Sequence, residues 1–177
     1  MTTRANLPTP LRPVSTSGRL AVRVRYCECD PMGVAHHAAY IPWLEMARTE
    51  LLRDSGVSYA ELEAAGVFLV IVKLEVSYKR PAYYDDLVEI RTRIVVGQQP
   101  SRVKIRHEYE VYRSADTARI ATSNGQGSPV IGEERAIGAI AQRRTPGELL
   151  LTGSSLLACV DRQGRPAALP DWLIASE

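Results

Sequence analysis

A chain of 177 residues is long enough for one domain with a hydrophobic core. Hydrophobic residues make up 45% and charged residues 24%, and the net charge is only +2, which excludes a disordered chain and argues against a nucleic-acid partner. The three cysteines, with no secretory pattern before them, speak against a disulfide framework, and no apolar run is long enough to span a bilayer, so a cytoplasmic setting without a membrane partner is expected.

Residues 1–18 hold prolines, glycine and arginines without an apolar stretch and read as a disordered arm. A single domain over 19–177 is expected to follow. In 20–26, Leu20, Val22, Val24 and Tyr26 alternate with Arg23 and Arg25, as in a half-buried strand. Next comes a Pro/Gly turn carrying Asp30, with His37 seven positions on. From Tyr40 the period changes. Tyr40, Trp43, Leu44, Ala47 and Leu51 recur at helical steps, and Gly56 suits the stop. Pro42 is comfortable only in a first turn, so the helix should begin near Ala38 to Tyr40. Ser58 to Ala65 fits a short second helix.

Four strand candidates follow at 67–79, 87–96, 102–112 and 148–160, the last less regular. Between the last two lies an expected insertion at about 114–145 that is loop-like around Ser123–Pro129. The order of strand, long helix and four strands indicates an α+β domain, with an antiparallel sheet covered on one face by the helix. A sheet of this size leaves an edge and a face that pairing of two chains would cover.

A carboxylate in a turn beside a helix N-terminus suits attack on a carbonyl. Asp30 can act as nucleophile or base, and free backbone N–H groups can hold an oxyanion. For His37, either the side chain or the backbone N–H is a candidate. Glu45 either pairs with Arg48 at i+3 or reaches the site. Arg102, Lys104 and Arg106 share a strand face that is either solvated or meets a phosphate. His107 falls on the apolar face of its strand and reads as a core histidine. Cys27, Cys29, His36 and His37 lack a second ligand pair at zinc spacing, so no metal is expected.

Three stretches, Tyr26-Cys27-Glu28-Cys29-Asp30-Pro31-Met32-Gly33-Val34, His37-Ala38-Ala39-Tyr40 and Trp43-Leu44-Glu45-Met46-Ala47-Arg48-Thr49-Glu50, resemble the 4-hydroxybenzoyl-CoA thioesterase family of hot-dog proteins. Weaker echoes are Val76–Pro81, Asp85-Asp86-Leu87 and Cys159-Val160-Asp161. The likeness covers roughly 20–113 and 148–171. It implies a hot-dog fold, a homodimer with sites at the subunit interface, and hydrolysis of an acyl-CoA to the acid and free CoA without a cofactor; whether two such dimers pair into a dimer of dimers stays open. It also implies that Asp30 is the catalytic aspartate and that the backbone at His37 polarises the thioester. Gly33, Tyr40 and Glu45 fall on supporting motif positions, and Arg102 and Arg106 are the candidates for CoA. The chain departs from the family at Gly97–Arg102, where a basic turn is usual, and in the insertion. Those departures motivate one rival, a non-catalytic acyl-thioester-binding protein, and acyl carrier protein in place of CoA as the thiol carrier is another. A hot-dog dehydratase or hydratase is a third, against which the Asp30 turn argues.

Overall fold

The strict alternation along 87–96 and 102–112 is realised as two neighbouring strands at the heart of one sheet. In the computed structural model, which describes residues 7–95, 102–114 and 144–174, these are β3 (Leu87–Ile94) and β4 (Lys104–Arg113). With β1 (Ser17–Arg23), β2 (Phe68–Tyr78) and β5 (Leu149–Val160) they form a five-stranded antiparallel sheet in the order β1-β3-β4-β5-β2. Between β1 and β2 lie two 3-10 turns, Tyr26–Glu28 and His37–Ala39, then α1 (Tyr40–Asp54) and α2 (Tyr59–Ala64). A short α3 (Asp171–Ile174) closes the described chain. This is the expected α+β hot-dog architecture.

The helix boundaries follow local chemistry. Pro42 sits in the first turn of α1, where its missing N–H costs no helical bond. Beyond the last turn, Gly56 adopts φ 91, a conformation costly for residues with a Cβ, and its N–H returns to Arg53 O. Ser58 and Glu61 form a reciprocal capping box on α2.

Helix α1 lays Trp43, Leu44, Ala47, Leu51 and Leu52 on the sheet. They meet Val88, Ile90 and Ile94 of β3, and Ile105, Tyr109 and Val111 of β4, all buried. Each such large apolar side chain contributes about 1.5–3 kcal/mol on burial. The opposite face of the sheet is charged. Arg91 bonds Glu89 at 2.6 Å and Arg93 pairs with Glu108.

Several expectations need correction. β1 starts at Ser17 and stops at Arg23, before the expected end at Tyr26. Val24 N–H donates to Asp86 O and then Arg25 and Glu28 close a turn, which takes the backbone out of the sheet. The arm expected to be disordered over 1–18 is attached where it is described: Leu11 N–H donates to Ser55 O and Val14 is buried in the core. β1 and β2, although consecutive in the chain, occupy opposite edges of the sheet. The long crossover through α1 allows that, because it carries the chain across the whole sheet. Most of the 114–145 insertion and the Gly97–Ser101 stretch lie outside the described residues.

Candidate active site

Asp30 opens a tight hairpin. Cys29 bridges Ala35, Asp30 N–H donates to Val34 O at 2.9 Å, and Gly33 N–H donates to Asp30 O at 2.9 Å. Pro31 presets its own φ at the first corner, and Gly33 takes φ 77. The Asp30 Oδ1 accepts the Met32 N–H at 2.9 Å, which fixes the half-buried carboxylate against its own turn. Among the described residues Oδ2 has no partner.

The return arm of the hairpin runs into the His37–Ala39 turn. His36 caps it: its Nδ1 accepts Ala38 N–H at 3.3 Å, and its carbonyl accepts Ala39 N–H at 2.8 Å. The His37 N–H opens the turn and has no carbonyl within the turn to reach. Tyr78, at the end of β2, donates its hydroxyl to His37 O at 2.8 Å. Tyr40 is buried, packs edge-on to Tyr78, and its hydroxyl accepts Ala82 N–H at 3.0 Å. Burial pushes the Tyr40 phenol up, although the Ala82 N–H favours the ionised form.

Glu28 links the two halves, a role the sequence did not signal. Its Oε1 accepts from buried Trp43 Nε1 at 2.9 Å and from Arg25 at 2.6 Å, and its Oε2 accepts Arg25 N–H at 2.8 Å. Its carbonyl accepts His36 N–H at 2.8 Å. Burial raises the carboxyl, but the Arg25 side chain, the Arg25 N–H and Trp43 together outweigh it and hold the group below the ordinary range. One carboxylate therefore holds the approach to Asp30 and the start of α1 in register.

Residues 24–176 match the family model described as the thioesterase-like superfamily. The chain belongs to that superfamily. YneP of Bacillus subtilis is 29% identical over 161 residues, spanning 88% of this chain and 92% of its own. The acyl-CoA thioester hydrolase YbgC of Escherichia coli is 44% identical over 80 residues, 45% of this chain and 60% of that one. Among solved structures, the DHNA-CoA thioesterase of Staphylococcus aureus superposes with a TM-score of 0.64 at 26% identity, covering 89% of this chain and 86% of that one. The match is to the broad superfamily and does not single out a 4-hydroxybenzoyl-CoA branch.

In this thioesterase the remaining expected residues lie apart from the Asp30 turn. The Glu45 side chain is 61% exposed and sits 3.4 Å from Arg48, the ion-pair arrangement of its two alternatives. Arg102 precedes β4 and bonds Asp171 at 2.8 Å. Arg106 lies on the charged face, where it lines a cavity of about 860 Å³. Asp30 is tied to the other end of the sheet, through Ala35 to Ala82 and through Val34 to Tyr83, close to where β3 begins. At about 3.3 Å per residue, the 10-residue β4 puts Arg102 about 30 Å from that end. The chain does not bring Arg102 and Asp30 together by itself. Cys27 is exposed on the 3-10 turn and Cys29 half-buried at its cap. His107 is buried in the core as expected. No helix of the described residues is long and apolar enough to cross a membrane.

Proposed function

We propose that the chemistry of this acyl-CoA thioesterase is carried by Asp30, acting on a thioester whose carbonyl oxygen is held by the backbone N–H of His37. The observation that supports this reading is the shared framework of the two groups. One hairpin presents a carboxylate with Oδ2 unengaged, and the same hairpin leads directly into the turn that begins with the His37 N–H. In hydrolysis the carboxylate either attacks the carbonyl carbon or takes a proton from the attacking water. The first path gives a mixed anhydride and releases the CoA thiolate, and water then cleaves the anhydride. Both paths develop negative charge on the carbonyl oxygen, which is where a fixed N–H acts.

The working unit in this reading is a homodimer. β2 is an edge strand whose Val70, Ile71, Val72 and Tyr78 are 41%, 45%, 51% and 46% exposed. An apolar edge of 11 residues is a template for pairing, and a second β2 covers it. Pairing there would bury Tyr78, and with it the support of the His37 carbonyl. A partner chain is also the route by which a cation as remote as Arg102 or Arg106 could meet CoA phosphate at an Asp30 site. The three unbridged cysteines agree with the cytoplasm.

The test is release of free thiol from a panel of aliphatic and aromatic acyl-CoAs by wild type and Asp30→Asn. The variant should lose at least about 100-fold in kcat while melting at an unchanged temperature, since it loses the general base or nucleophile and keeps the turn. Wild-type turnover in a folded Asp30→Asn protein would overturn the assignment.

A further inference from the structure

Arg113 occupies an odd place. It continues the inner face of β4 after Ile105, His107, Tyr109 and Val111, where another apolar residue would fit, and it is 2% exposed. Its partner Asp86 is 0% exposed. Moving a guanidinium and a carboxylate out of water is unfavourable, and a well-packed apolar pair often serves a core as well or better. The contacts of this pair show a different purpose.

Most of them fall on one segment, Pro81–Asp86. Arg113 pairs with Asp86 through Oδ2, donates to Pro81 O at 2.9 Å, meets Glu148 at 3.2 Å and lies over the Tyr83 ring. The same Asp86 Oδ2 accepts Tyr83 N–H at 2.9 Å. Arg144 stands 3.4 Å from Asp86 Oδ1 and donates to Tyr84 O at 3.2 Å. The segment is in turn the platform of the site. Ala82 O accepts Ala35 N–H at 2.8 Å and Tyr83 bridges Val34, which holds the return arm of the Asp30 hairpin. Ala82 N–H donates to Tyr40 at 3.0 Å, which holds the start of α1. One residue, Ala82, thus carries both arms of the site on its two backbone groups. The next turn includes Asp85 at φ 66, a conformation that persists only where its neighbours enforce it.

We propose that the buried Asp86–Arg113 pair is a positioning device for thioester hydrolysis, fixing the Pro81–Asp86 platform on which the Asp30 hairpin and the start of α1 are hung. The proposal rests on the reading of Asp30 and His37 given above. Neither Asp86 nor Arg113 touches substrate. Their effect is on the separation of the carboxylate from the His37 N–H, and a misplacement of about 1 Å there costs about 100-fold in rate.

The test uses the double variant Asp86→Leu/Arg113→Met, which removes both charges and keeps the volume filled. Its melting temperature should fall only modestly, since neither member of the buried pair is left behind alone, while the part-exposed Arg144 and Glu148 each lose one partner and the Tyr83 N–H loses its acceptor. Its kcat should fall about 10- to 100-fold with KM within about twofold. The Ala35 amide, followed by hydrogen exchange, should lose protection. Arg113→Lys keeps the charge and loses the planar fork that spans Asp86 and Pro81, so it should fall between the two. A stable double variant with wild-type kcat overturns the proposal. If the double variant does not fold, Arg113→Lys decides in its place, and an unchanged kcat in that protein overturns the proposal equally. Asp30→Asn is assayed alongside. If it remains active, the catalytic reading has failed and the proposed link to hydrolysis falls with it. Ala35 exchange then reports separately whether the pair holds the hairpin.

Discussion

The indole N–H of Trp43 donates to Oε1 of Glu28 across 2.9 Å, joining the main helix to the turn that leads into Asp30. Glu28→Ala would leave that buried donor without an acceptor, a loss of about 1–3 kcal/mol. Glu28→Gln keeps an acceptor for Trp43 and should retain most of the stability. Melting curves of the two variants, read with tryptophan fluorescence, separate the two effects. The carboxyl is held below the ordinary range when folded, so its contribution is present above the unfolded value and fades as pH falls through the folded one.

Tyr78 packs edge-on to Tyr40 and holds the His37 turn through one hydrogen bond, from its hydroxyl to His37 O at 2.8 Å. Tyr78→Phe deletes that bond from a half-exposed ring, and its stability cost should be about 0.5–1.5 kcal/mol. The larger effect should fall on kcat, because the His37 turn loses its anchor on β2. Steady-state kinetics should show a lower kcat with little change in KM, and an unaltered kcat would remove Tyr78 from the catalytic framework.

His107 sits in the core between Tyr109 and the helix residue Arg48. Burial, with a further push from Arg48, lowers it from 6.5 to about 3. The unfolded chain takes up its proton near 6.5 and the folded chain does not. Stability is therefore complete above that pH and declines below it by up to about 1.4 kcal/mol per pH unit, until the folded group titrates near 3. Urea midpoints at pH 7.5 and 5.5 should differ in that direction. In His107→Leu the difference should shrink.

Val72 lies at the shift in register where β2 leaves strict pairing with β5, between Ile71 and Lys73. It is 51% exposed on the free edge. Val72→Lys places a charge on that edge, a common natural way of preventing strand pairing. The variant should sediment as a monomer and lose turnover together. A fully active monomer would remove the need for a second chain.

Much of the fold was legible because alternation and helical recurrence are local signals. β3 and β4 alternate almost without exception, and Pro42 and Gly56 mark the ends of α1 from chemistry alone. Strand order was not legible, since the pairing of β2 with β5 joins Phe68 to Val160 and no local pattern encodes so distant a partner. Asp30 and His37 could be singled out by spacing. Glu28 could not, because a glutamate between two cysteines in a strand-like stretch reads as a solvated side chain. Arg113 did leave a signal, a charge in phase with the apolar positions Tyr109 and Val111. That is the pattern a buried, paired arginine makes.

The placement of β5 between β4 and β2 has a consequence for how the chain is made. β2 leaves the ribosome well before its strand partner, which ends at Val160. Until the ribosome has released that segment, the apolar strand ending at Tyr78 has no intramolecular mate, so the nascent chain carries an adhesive edge on both sides of β2. Termination before β5 should give an aggregating fragment rather than a smaller folded protein.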